Sequence, residues 1–304
     1  MHSDVFARIE YIEKWIDDCY KRNDLNSFDV IMDIAIESGN YLREMIILCS
    51  GIASDDKNGK EIKGFDLHEA VIVGHMVRIY KMYDQIVFFV AENKGEISSI
   101  FFRLLFETYV KMKYFMLRGP DSIDSFIKCS FKAPMKNYNY IVGQEDDGVL
   151  DTIGKRVINK IENRLRFVNL SIEEMVSNRN WKIDGKSFSD ILGFLDKNDA
   201  NGINWKLSES FLFGSSSAFV HGNWYDIQLN QLEFMNNKFF PKYTYDDVDP
   251  RYILPKSSIP IHACLDYLKW RRIKSNNPLN ILLYKMLDFN HYLNEKDESR
   301  SHNY

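Results

Sequence analysis

The stretch "FFRLLFETYVKMKYF", residues 101–115, decides how this chain is read. Its apolar residues recur at helical spacing, and they predict a helix over 96–117 that the following "RGP" stops. Within that run Arg103 and Glu107 stand one turn apart. On an exposed helix the helpful order is acid first and base four residues later, and this pair runs the other way. With Phe101, Phe102, Leu104, Leu105 and Phe106 as neighbours, both charges are expected to be at least half buried, which is costly unless they are paired and hydrogen-bonded. Two readings follow. The pair is a structural ion pair knitting helices together, or it orients a group in a polar pocket inside a helical bundle.

Outward from that helix, a period of 3.6 residues dominates. It predicts helices over 4–21, 27–50, 66–92, 121–140, 148–169, 171–178, 187–195, 205–221, 258–273 and 278–289. The aromatic, proline-bearing segment near 223–256 predicts irregular chain with at most a short hairpin. The fold class expected is therefore all-α, a multi-helix bundle. Residues 1–60 form an N-terminal helical hairpin set off by the loop "SGIASDDKNGKEIKG", 61–290 the main domain, and 291–304 a polar tail. On the helix 148–169, Ile153, Val157, Ile161, Leu165 and Val168 make an apolar stripe. Arg156, Lys160 and Arg164 make a basic row, which reads as a solvated face or as an RNA-contacting one.

Composition bounds the function. Hydrophobic residues are 45 % and charged residues 27 %, the proportions of a globular protein. Lys and Arg total 39 against 43 Asp and Glu, a net charge of −4, which excludes a globally basic nucleic-acid coat but not a local basic face. Cys19, Cys49, Cys129 and Cys264 show no CxxC spacing, as suits reduced thiols rather than a zinc site. The N-terminus lacks the unbroken apolar core of a signal peptide, and no run is long enough to span a membrane, so a soluble, cytoplasmic protein is expected. No cofactor is called for: there is no Walker A loop and no GxGxxG. "HEAVIVGH" begins like a zinc-protease motif, but His68 and His75 lie about 10 Å apart along a helix, too far for one metal. "GSSSA" around Ser216 lacks the strand that a nucleophile elbow needs.

A second stretch, "SSSAFVHGNW" (215–224), ends a predicted helix at His221 before Gly222. Its imidazole is either a C-terminal partner of the helix dipole or an acid–base group. The expected site joins His221, Arg103 and Glu107 in one polar pocket, with Ser215–Ser217 alongside.

With these residues in view, the chain resembles a bacterial helical domain family of unknown function. Its members carry an "RSLFE"-like helix and, further on, a "vHG"-like helix end followed by an aromatic, proline-containing segment. The matching stretches are "RLLFETYVKMKY" (103–114) and "SSSAFVHGNW", with "HEAVIVGHMVRIYKMYDQI" before and "DVDPRYILP" after. The resemblance covers roughly 66–273 and leaves residues 1–60 outside. That family is distantly similar to the HEPN helical superfamily, many of whose members are ribonucleases of toxin–antitoxin and antiphage systems. The resemblance implies a His for proton transfer and an Arg, a turn or so before it, for the phosphate, with no metal. Here Gly214, Ser215 and Ser216 occupy the positions where that Arg would stand, so Arg103 would have to supply the charge from a neighbouring helix. Two functions therefore stand side by side: a non-catalytic interaction or regulatory protein, and a metal-independent ribonuclease or toxin acting in phage defence. The partner is RNA or a protein, with a homodimer left open.

Overall fold

The computed structural model describes residues 2–25, 27–51, 64–143, 152–200, 203–210, 224 and 227–301. It is 78 % helical. Among the described residues the sheet is a single two-stranded hairpin, β1 (Leu232–Met235) with β2 (Lys238–Pro241), turned by Asn236 and Asn237 at φ 51° and 59°. Both strands have exposed aromatic residues, including Phe234 and Phe239.

The bundle is organised around α3 (Leu67–Ala91) and α4 (Gly95–Arg118), which pack along their lengths. Asp66 caps α3 by accepting from the Glu69 N–H at 2.8 Å. Ile72, Met76, Ile79, Tyr83, Ile86 and Val90 then recur every three to four residues and are at most 2 % exposed. The turn between α3 and α4 places Asn93 at φ 56°, and its side-chain oxygen accepts from the Val248 N–H at 2.8 Å, tying the irregular segment to the bundle. Gly95 is needed at the start of α4 because a Cβ there would stand 2.7 Å from the ring of Tyr252. At the other end Gly119, at φ 82°, stops α4, and Pro120 opens α5 (Pro120–Ser130).

The helices α1 (His2–Tyr20) and α2 (Phe28–Ser50) form the expected N-terminal pair. α2 lies on α3 and on α10 (Leu254–Trp270), and α1 lies on α11 (Pro278–Ser301). Ile12, Ile46, Tyr83, Leu105, Leu268 and Phe289 belong to one continuous core. A smaller core, built from Met135, Ile161, Leu165 and Met175, joins α6 (Lys132–Val142), α7 (Thr152–Phe167) and α8 (Ile172–Ser177). α9 (Phe188–Asn198), opened by a Ser187/Asp190 capping box, packs on α4.

Three boundaries differ from the sequence expectation. The helix expected over 121–140 is two, because Pro134 has no N–H to offer the Ser130 carbonyl and its ring crowds it; the chain restarts as α6 with Pro134 in its first turn. α10 begins at Leu254, with Pro255 in its first turn and Pro260 accommodated inside. α11 continues to Ser301, beyond the expected end at 289, because Leu293 and Asp297 are still buried against the bundle.

Candidate functional site

A cavity of about 370 Å³ opens between α3 and α4. Its α3 wall includes the exposed Ala70 and Gly74, one turn apart, and a Cβ added at Gly74 would meet nothing within 4 Å. Four ionisable side chains from the two helices reach it, His75 and Arg78 from α3 and Glu107 and Lys111 from α4. Thr108 and Phe126 complete the polar and apolar walls.

Each of these groups is held. The Lys111 ammonium donates to the Glu107 carboxylate at 2.5 Å, an acid-first pair four residues apart whose side chains are 27 % and 33 % exposed. Arg78 Nε donates to Thr108 Oγ1 at 3.1 Å, and that hydroxyl donates to the Leu104 carbonyl at 2.6 Å. His75 Nδ1 lies 2.7 Å from the Val71 carbonyl. A carbonyl only accepts, so Nδ1 carries the proton and the lone pair of the neutral ring sits on Nε2. The ring is 9 % exposed and stands between Phe115 and Phe126, with centroids at 5.5 Å and 5.3 Å. Burial above all, with the positive fields of Lys111 and Arg78, pushes its pKa down to about 4 although the Val71 hydrogen bond opposes the shift. At neutral pH the cavity therefore presents an uncharged imidazole with a basic nitrogen, two cations and one carboxylate.

Glu107 lines this cavity, and its ionic partner is Lys111, which corrects the anticipated Arg103–Glu107 pair. Arg103 is half-buried on α4, one turn before Glu107. His221 and Ser215–Ser217 lie outside the described residues, so the convergence of His221 with Arg103 and Glu107 rests on the sequence. Arg156, Lys160 and Arg164 are exposed on α7, far along the chain from the cavity residues. His68 and His75 go separate ways: His68 pairs with Asp124 of α5 at 2.8 Å while His75 faces α4.

A second charged cluster had no counterpart in the sequence reading. Lys113 of α4 is 5 % exposed, and its ammonium lies 2.6 Å from Asp266 of α10 and 2.9 Å from Asp199. Tyr109 donates to Asp266 at 2.7 Å and Trp205 Nε1 to Asp199 at 3.1 Å. Burial, and then the Asp266 carboxylate, holds the Tyr109 phenol well above its ordinary pKa. Asp266 also borders a cavity of about 520 Å³ near the α10–α11 turn, but its carboxylate is already held by Lys113 and Tyr109.

These features define an all-α protein with a polar groove between its two central helices. Residues 69–239 match the model of a family of unknown function, DUF5677, and the chain belongs to that family. All four ionisable residues of the groove fall within the matched segment, whereas α1, α2, α10 and α11 lie beyond it. No curated protein and no solved structure matches the chain. No helix among the described residues is long and apolar enough to cross a membrane.

Proposed function

We propose that this chain is a non-catalytic interaction or regulatory protein whose ligand site is the groove between α3 and α4, and that the groove takes a small anionic group. The observation that carries this reading is the convergence of His75, Arg78, Glu107 and Lys111 on one cavity at a helix–helix seam that apolar side chains would ordinarily fill. Arg78 and Lys111 outnumber the single carboxylate, and the uncommitted Nε2 of His75 accepts a hydrogen bond from a protonated ligand atom. Thermal-shift titration with inorganic phosphate, acetate and nucleoside monophosphates tests it. At least one of them should raise the melting temperature of the wild type, and Lys111→Met and His75→Leu should each abolish that rise. Stabilisation that survives both substitutions, or that no anion produces, ends the reading.

A ribonuclease reading, in the manner of the HEPN superfamily, draws on Arg103. This cation stands half-buried beside Phe102 and Phe106, which are 5 % and 2 % exposed, one turn from the groove. It requires His221 as the acid–base group. His221→Ala should then abolish RNA cleavage or cellular toxicity with the fold intact, and Arg103→Lys should impair it, since an ammonium lacks the planar fork of guanidinium. A folded wild-type protein that leaves RNA uncut removes this second reading and leaves the first untouched.

A further inference from the structure

Helix α7 carries five basic residues, Lys155, Arg156, Lys160, Arg164 and Arg166, and one acid, Glu162, within a chain whose net charge is −4. Glu162 lies 3.8 Å from Arg166. Arg156, Lys160 and Arg164 are exposed and have no ion-pair partner among the described residues. At 1.5 Å per residue they follow one another at steps of about 6 Å along the helix. Ile153 and Phe167 bracket them, 78 % and 77 % exposed, among the most exposed large apolar side chains of the molecule. At 3.6 residues per turn these five side chains share a sector of about 80°. A different side of α7, centred about 120° round the helix, buries Ile161 and Leu165 in the smaller core, so the cationic sector faces outward on a fixed helix. The neighbouring α6 adds exposed Lys132 and Lys136, with Tyr140 70 % exposed on the same helical row.

We infer that this outer face of α7 is a docking surface for single-stranded nucleic acid, in which Arg156, Lys160 and Arg164 meet successive backbone phosphates and Phe167 stacks on a base. The charge asks for a polyanion, and the spacing of the three cations is close to that of consecutive phosphates in an extended strand. An exposed phenyl ring among cations needs a base free to leave its neighbours, which a duplex does not offer. An anionic membrane fits less well. A helix lying on a bilayer keeps its apolar residues on a face apart from its cations and turned to the lipid, whereas here Ile153 and Phe167 stand among the cations and the side that holds Ile161 and Leu165 belongs to the core. This surface is independent of the α3/α4 groove and of any cleavage chemistry.

Fluorescence anisotropy with a labelled single-stranded oligouridine, the full chain and low salt provides the test. The wild type should bind, with a log–log salt slope of about −2 for three phosphates on a single strand. The triple variant Arg156→Ala, Lys160→Ala, Arg164→Ala should weaken binding at least about tenfold and flatten that slope. Phe167→Ala should cost about fivefold with the slope unchanged, because stacking is not ionic. Circular dichroism of each variant checks that α7 remains folded, and Lys160→Ala alone serves if the triple variant does not. Absence of binding by the wild type, or a folded triple variant that binds equally, overturns the proposal. So does equal or tighter binding of polyglutamate or of phosphatidylserine vesicles through the same residues, which would assign the face to an acidic protein or a membrane instead.

Discussion

Lys111 and Lys113 stand two residues apart on α4 and meet opposite surroundings. The Lys111 side chain is 27 % exposed, reaches one carboxylate of its own helix and lines a cavity. The Lys113 side chain is 7 % exposed and is shared between Asp199 and Asp266, which come from distant parts of the chain. Two residues turn a helix by about 200°, so one face of α4 looks into the seam with α3 and the other into the core. The same ammonium is a replaceable surface charge in the first place and an irreplaceable counterion in the second. The charges of "FETYVKMKYF" are not alike, and substitutions on the two faces of α4 should differ accordingly.

The largest effect should come from the core. Lys113→Met removes the cation that Asp199 and Asp266 share while both carboxylates stay buried, and breaking such a cluster costs about 3–5 kcal/mol. Urea denaturation reads it directly. A midpoint within error of the wild type would mean that water already reaches those carboxylates, and the contrast between the two faces of α4 would disappear.

Next comes His75, on the groove side. Its folded pKa of about 4 lies below the value near 6.5 of an unfolded chain, so the unfolded state binds a proton first as the pH falls. The stability due to this group is complete above pH 6.5, declines between 6.5 and 4, and is lost below that window, by about 3 kcal/mol in all. His75→Phe should remove that part of the acid dependence. Subtracting its stability–pH curve from that of the wild type isolates the step, and a flat difference would show a solvated imidazole.

Much of this was readable in advance, and the unread parts have physical causes. The helices of 101–115 and its neighbours follow from apolar period, and a charge such as Glu107 in so apolar a run asks for a polar partner. The sequence also contains the right partner: "ETYVK" puts an acid four residues before Lys111, the favourable order, whereas Arg103 stands on the unfavourable side of Glu107. In the sequence His75 stands out only beside His68, at a spacing that excludes a shared metal, and nothing local marks Gly74 as lining a cavity. Asp199 and Asp266 could not be joined to Lys113 from spacing, since nothing local links three elements so far apart in sequence. The proline rule explains both errors of helix boundary near 131 and 254: a proline in a first turn starts a helix, whereas the same residue read inside a run ends one.

Lys256 offers a third setting for a lysine and a smaller effect of opposite sign. It is 7 % exposed, donates to Ser98 Oγ at 2.8 Å and lies 5.0 Å and 5.6 Å from the ring centroids of Tyr252 and Phe102. Burial lowers its pKa to about 7 from 10.5, with Asp249 opposing. The unfolded chain therefore keeps a proton that the folded one gives up between pH 7 and 10.5. Across that window the stability due to this group rises with pH, and below it the cost of a buried ammonium is borne in full. Lys256→Met should stabilise the protein at pH 7 by about 2 kcal/mol and remove that rise. A destabilised variant would mean that the hydrogen bond to Ser98 and the two rings outweigh the burial cost.

The smallest change in stability belongs to Lys111, and there a second readout matters more. Lys111→Ala breaks a half-exposed pair within one helix, so the unfolding free energy should fall by no more than about 0.5 kcal/mol, roughly a tenth of the loss at Lys113. Yet Lys111 is one of the two cations whose field keeps His75 neutral. Removing it also frees the Glu107 carboxylate, a charge that favours the imidazolium, so both consequences act in the same direction. The pKa of His75, followed by NMR through its ring proton, should move up from about 4 while the fold is nearly unchanged. An unmoved titration with a small stability change would show that water screens the groove charges from one another, and that His75 owes its neutrality to burial against Phe115 and Phe126 alone.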